Sequence, residues 1–131
     1  GGSAAPGARL RTGGATTRLA GLSSCSEEGS AGSEEAAIDL GERPVVVLVH
    51  GNVAGPYRFS ALERAISAHG HDVLCFRWNT RRRIGGASEA LAASVDTLRR
   101  HVPAVTVGGH SLGGLIARRA PTQGAVRETD P

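Results

Sequence analysis

Lysine is missing from this chain: all 15 of its basic residues are arginine. That removes a phosphate-gripping Walker lysine and a Schiff-base lysine from the available chemistry. Methionine is also absent, and the chain opens Gly1-Gly2-Ser3, so it reads as a piece cut from a longer reading frame. Aromatic residues make up only 3% of the chain and the net charge is a modest +3. Few platforms are left for stacking single-stranded nucleic acid, and nucleic acid is not an expected partner. Cysteine is scarce too. Cys25 and Cys75 do not make a disulfide framework or a metal set, and Cys75, inside an apolar run, reads as a small buried hydrophobe. No apolar run approaches the ~20 residues that span a bilayer, so no transmembrane segment is expected. Leu22-Ser23-Ser24-Cys25 has the outline of a lipoprotein cleavage box, but Arg18 stands where its apolar region should be. Without a signal peptide in the chain as given, the cytoplasm is the favoured compartment.

At 131 residues the chain has room for one domain. Residues 1–42 are Gly, Ser, Ala, Thr and charge with almost no apolar periodicity, and are expected to form a flexible, disordered leader because they bury too little to offset ordering entropy. The expected domain runs over residues 43–120, and residues 121–131 are expected to be an irregular tail. A unit of that size buries a small fraction of its surface, so the core should be marginal.

Within the domain the pattern predicts alternating strands and helices. Val45 to Val49 is a continuous β-branched and leucine run of the kind buried on both faces of a parallel sheet. Phe59, Leu62 and Ile66 follow at helical spacing, with Ser60 as N-cap and Gly70 as stop. Asp72 to Trp78 reads as a second strand. After a loop from Asn79 to Gly86 that carries Arg81, Arg82 and Arg83, Ser88 is expected to cap a helix bearing Leu91, Val95, Leu98 and Val102 on one face. Glu89 near its start and Arg99 and Arg100 near its end suit the helix dipole, and Pro103 ends it. Ala104 to Gly108 is the third expected strand, and Leu112 to about Ala120 a third helix that stops before Pro121. The expected fold class is α/β: three parallel strands in a βαβαβα order, with right-handed crossovers.

Two of these strand ends carry chemistry. Gly109-His110-Ser111-Leu112-Gly113 fits Gly-x-Ser-x-Gly between a strand and a helix, the setting of a nucleophile elbow. Gly109 and Gly113 allow the tight backbone that lifts Ser111 above the sheet edge. His50-Gly51-Asn52 follows the first strand directly. In a parallel sheet, ligands bind at the carboxyl ends of the strands, where both motifs and the arginine loop would meet.

Together with Gly70-His71-Asp72-Val73, these phrases are similar to the α/β-hydrolase superfamily and its bacterial lipase and esterase branch, over roughly Pro44 to Ala120. The resemblance implies the N-terminal part of that fold, with the His-Gly strand in the middle of three and an unpaired edge on each outer strand. It implies Ser111 as nucleophile, main-chain N–H groups of Asn52 and Leu112 as the oxyanion hole, and His50, Gly51, Gly109 and Gly113 as supports of the two turns. It also implies ester hydrolysis through an acyl-enzyme on a small-molecule or lipid ester, with no metal and no organic cofactor.

The chain departs from the family over the triad, which runs Ser, then acid, then His. Its histidines, His50, His69, His71, His101 and His110, all precede Ser111. Glu128 and Asp130 follow it, but neither is expected at the end of a further strand. The acid and base are therefore expected from sequence downstream, and this chain alone is expected to be inactive. His50 is read as shaping its turn by hydrogen bonding, and His110 as pointing into packing. Arg81 to Arg83 are read as a solvated loop, with a rim for anionic acyl substrates as the alternative; Tyr57 and Phe59 could line an acyl pocket, although Phe59 fits better as core. Two other functions stay open: an acyltransferase or thioesterase on the same scaffold, and a non-catalytic hydrolase-like protein.

Overall fold

Two sheets share one core in the computed structural model, which describes residues 4–25, 36–50, 60–79, 84–109 and, for the backbone, 126–129. The first sheet is built from the segment expected to be a leader. Strands β1 (Arg9–Thr12) and β2 (Ala15–Arg18) pair antiparallel, and β4 (Ile38–Leu40) pairs parallel to β1, in the order β2-β1-β4. The second sheet has the order β3-β6-β5-β7-β8, with β3 (Leu22–Ser23), β5 (Val45–Val49), β6 (Asp72–Phe76), β7 (Val105–Gly109) and β8 (Val126–Thr129). Strands β5 to β8 are mutually parallel, and β3 runs antiparallel to β6.

The expected βαβαβα fold of three parallel strands is therefore overturned. Both sheets are mixed, and the described residues hold eight strands and two helices, α1 (Ser60–Ala68) and α2 (Ile84–Leu98). Over its described residues, 4–25 and 36–42, the disordered leader is overturned for a clear reason. Its apolar residues are few, but Leu10 and Leu22 are wholly buried and Leu40 nearly so, so β1, β3 and β4 each contribute a leucine to a core completed by the rest of the chain. Unpaired outer edges are overturned as well: β3 covers the free edge of β6, and β8 covers that of β7. The region expected to be an irregular tail supplies β8. The expected third helix lies outside the described residues.

Period-2 alternation divides the second sheet's side chains between two faces. Val45, Val47, Val49, Leu74, Phe76, Val105 and Val107 face the main core, where they meet Ala87, Leu91, Val95 and Leu98 of α2. Those four helical positions recur at spacings of four, four and three, one stripe of a helix. Fully burying one such leucine contributes about 2–3 kcal/mol. Helix α2 begins four residues before the expected cap, so Ser88 lies inside it and is buried. Burial of Ala87 and Leu91 against the sheet outweighs the low helix propensity of Gly85 and Gly86. The helix ends at Leu98 rather than Val102, and its last turn tightens through Arg100 N–H to the Thr97 carbonyl and His101 N–H to the Leu98 carbonyl. Ser94 donates to the Ala20 carbonyl at 2.7 Å, tying α2 to the N-terminal segment.

The other face is thinner. Leu48, Cys75 and Cys25 form a small buried cluster there, joined by Val46, Ile66 and Val73. Helix α1 lies on this face with no residue fully buried, and Leu62, expected in the core, is 45% exposed. Gly70, at φ 93°, closes the helix with its N–H on the Ser67 carbonyl. Arg43 secures the same turn, donating to the carbonyls of Ser67, Gly70 and His71 and pairing with Asp72 at 3.6 Å.

Cys25 and Cys75 form a disulfide with a Cα–Cα separation of 4.9 Å. Cys75 is buried, but as half of a cross-link rather than as a free apolar side chain. The antiparallel pairing of Ser23 with Cys75 brings Cys25, two residues on, within reach. At a sequence separation of 50, the two cysteines gave no local spacing signal.

Candidate functional site

The parallel strands end level with one another. In the register of the second sheet Val49 pairs with Phe76 on one side and Gly109 on the other, and Gly109 pairs in turn with Thr129. Neighbouring strands lie about 4.8 Å apart, so the chain leaves β5 and β7 side by side on one rim. The residue after Val49 is His50, and the residue after Gly109 is His110.

Of the site residues expected from the sequence, His50 and Gly109 are described, and both are buried on this rim. Gly51, Asn52, Ser111, Leu112 and Gly113 lie outside the described residues, as do His110, Tyr57, Phe59 and the arginines at 81 to 83. The pairing of β5 with β7 brings the roots of the two motifs together.

His50 is held firmly. Its main-chain carbonyl accepts a hydrogen bond from the Trp78 indole N–H at 3.3 Å, and its ring stacks on the indole with centroids 5.7 Å apart and planes 26° from parallel. Both residues are buried, at 7% and 6% exposure. Trp78 was expected to end the second strand, but β6 stops at Phe76 and Trp78 instead forms an isolated bridge with Ala4. Around it the N-terminal segment makes a strap. Arg77 N–H donates to the Gly21 carbonyl, Gly21 N–H to the Ala5 carbonyl, and Ala5 N–H to the Arg77 carbonyl. The Arg77 guanidinium donates to Ser23 Oγ at 2.6 Å and to the Ser24 carbonyl at 3.0 Å. Gly21 sits at φ 82°, and a Cβ there would run into the Phe76 ring.

Sequence reasoning missed this cluster because its partners are far apart in the chain: Trp78 meets Ala4 on one side and His50 on the other. The available signal was that Trp78 is the chain's single tryptophan and sits directly beyond a buried strand, where a buried indole N–H must find an acceptor.

The other described histidines lie away from the rim. His69 and His71 line a shallow cleft of about 310 Å³ with Val46, Ala65, Ile66 and Thr106. Val46 and Thr106 are register partners near the starts of their strands, about 10 Å along the sheet from the Val49 and Gly109 level. His101 precedes β7 and is exposed. Among the described residues, only His50 reaches the rim.

After Ser111 the structure supplies a strand that was not expected. Glu128 lies within β8, and Asp130 is the next residue after Thr129, the partner of Gly109. These acids were not expected at the end of a further strand, yet β8 carries Glu128 and leads into Asp130, because a short, polar, charged edge strand has too little apolar pattern to be recognised.

Among the described residues no three His, Cys, Asp or Glu side chains gather into a metal-ligating group, and no helix is long and apolar enough to cross a membrane. No protein-family model matches the chain, and none of the curated proteins matches it.

Proposed function

We propose that this protein is a serine hydrolase of carboxylic esters, of lipase or esterase type, with Ser111 as nucleophile. The observation that carries the reading is the Val49 to Gly109 register: the His50-Gly51-Asn52 and Gly109-His110-Ser111 segments leave adjacent parallel strands at the same level. That register supports a common target for the Ser111 hydroxyl and Leu112 N–H, which follow one strand, and the Asn52 N–H, which follows the other. In the reaction, Ser111 Oγ bonds to the ester carbonyl carbon as its proton passes to a general base. The carbonyl oxygen takes the negative charge and accepts hydrogen bonds from the Asn52 and Leu112 N–H groups. Collapse expels the alcohol, which takes up the proton, and water then releases the acid from the acyl-enzyme.

A second reading is favoured by one observation. Of the described histidines only His50 stands on the rim, and it is stacked on Trp78. A protein without a base beside Ser111 would keep the scaffold and lack the reaction.

A fluorophosphonate probe separates the two readings. It bonds its phosphorus to an activated serine oxygen with loss of fluoride, and peptide mass spectrometry locates the adduct. In a form of the protein that carries the triad acid and base, the hydrolase reading expects the adduct on Ser111 and none in Ser111→Ala. An unlabelled serine in that form would favour the non-catalytic reading.

A further inference from the structure

We propose that the outward face of the first sheet is an electrostatic docking surface for the phosphate groups of an anionic lipid layer, a role that stands apart from the chemistry at the rim. Alternation along the strands fixes which residues share that face. Leu10 and Leu40 are buried and Ile38 packs beside them, so β1 and β4 turn these side chains to the core. Their neighbours in the strands point the other way: Arg9 and Arg11 from β1, and Asp39 from β4. Strand β2 adds Arg18, the register partner of Arg9, and Thr16, the partner of Arg11. The face is open to solvent, with Arg11, Thr16, Arg18 and Asp39 all exposed.

Two features of this face suit an anion. The first is the pairing of Arg9 with Arg18. Register partners in an antiparallel ladder hold their Cβ atoms about 4.5–5.5 Å apart, and like charges directly opposite one another destabilise a sheet. Arg18 turns one guanidinium nitrogen to the Gly7 carbonyl at 3.0 Å, a contact that satisfies a donor and leaves the charge in place. The second is the charge balance. Asp39 answers Arg11 at 3.4 Å, so three guanidiniums stand against one carboxylate and the face keeps a positive surplus.

The form of the face selects a lipid layer as the partner. A single anion gripped by exposed side chains gains little in water, because solvent and salt screen it. A layer of phosphates meets all three arginines at once, and its negative potential acts on each of them. The planar guanidinium also presents paired N–H donors to phosphate oxygens, and the chain carries arginine in place of lysine throughout. No aromatic residue stands on the face to stack a nucleic-acid base.

Co-sedimentation of the full chain with lipid vesicles tests the proposal. Vesicles of phosphatidylcholine with one-third phosphatidylserine should retain the protein, and vesicles of phosphatidylcholine alone should not. Raising salt from about 0.1 M to about 1 M, which shortens screening from about 10 Å to about 3 Å, should release it. Each arginine should contribute about fivefold in affinity, so Arg9→Gln with Arg11→Gln should weaken binding about 25-fold, and Asp39→Asn should tighten it about fivefold. Arg9→Lys with Arg11→Lys should still bind. None of these side chains is buried, so the variants should melt as the wild type does. Equal sedimentation with the two kinds of vesicle would overturn the proposal, as would a glutamine double variant that binds like the wild type. Release by inorganic phosphate at constant ionic strength would also overturn it, by assigning a single-anion site. Binding that emerges only after Glu27, Glu28, Glu34 and Glu35 are changed to Gln would overturn it too, by assigning the face to the chain's own acidic stretch.

Discussion

Replacing both Cys25 and Cys75 by alanine should cost this protein about 4 kcal/mol. The figure comes from the loop that the cross-link closes: with a sequence separation of 50, the chain-entropy estimate is 2.1 plus 1.5R ln n in entropy units, or about 4 kcal/mol at 25 °C. The packing lost with the two sulfur atoms adds to it, since Cys75 is wholly buried and Cys25 nearly so. For a domain of this size that corresponds to a fall in melting temperature of about 15 °C. The effect should be uneven across the structure. Strand β3 pairs with β6 through two residues only, Leu22 with Phe76 and Ser23 with Cys75, so the cross-link adds to a short edge otherwise held by the Arg77 hydrogen bonds to Gly21, Ser23 and Ser24. Urea unfolding of the double variant beside the wild type gives the magnitude, and hydrogen exchange at Leu22 gives the location. Alkylation of the unfolded, unreduced wild type should find no free thiol. Two alkylated cysteines, or unfolding curves that coincide for the two proteins, would refute the reasoning. A cross-link of this kind persists where thiols are kept oxidised, so the protein should lose stability in a strongly reducing buffer.

Gly21→Ala should destabilise by about 3 kcal/mol, because the position has φ 82° and a methyl group there would displace the Phe76 ring; thermal unfolding checks it, and an unchanged midpoint would contradict the backbone argument. Leu91→Ala should also cost about 3 kcal/mol, since Leu91 is fully buried at the centre of the α2 stripe, and denaturant unfolding measures it. Leu62→Ala, on the exposed face of α1, should change stability by less than about 0.5 kcal/mol; a loss several times larger would mean that α1 is covered more deeply than its exposure shows.

What the sequence made legible follows the length of each apolar run. The runs at 45–49 and 72–76 and the helical stripe of Leu91, Val95 and Leu98 carry enough periodic residues to mark elements, and they form β5, β6 and α2. The first sheet was hidden because its strands are three or four residues long. One signal there went unread. Arg9-Leu10-Arg11-Thr12 alternates polar and apolar, and Gly13-Gly14 then separates it from Ala15-Thr16-Thr17-Arg18; a glycine pair between two short runs is a hairpin mark. The register of Thr12 with Ala15 shows that hairpin. Strand β8 offered less. Val126-Arg127-Glu128-Thr129 is polar and charged, as suits a strand at a sheet edge, and nothing in its composition separates it from a loop. The candidate site was legible as two motifs, whereas their common rim depends on the pairing of β5 with β7 across more than fifty residues of sequence. Trp78 and its N-terminal brace depend on contacts that no local pattern encodes.

The most direct test of the central claim is a crystal structure of the fluorophosphonate-treated protein in a form that carries the triad acid and base. The account predicts phosphorus bonded to Ser111 Oγ, with the phosphoryl oxygen within about 3 Å of the N–H groups of both Asn52 and Leu112. An unmodified Ser111, or a phosphoryl oxygen turned away from the end of β5, would contradict it.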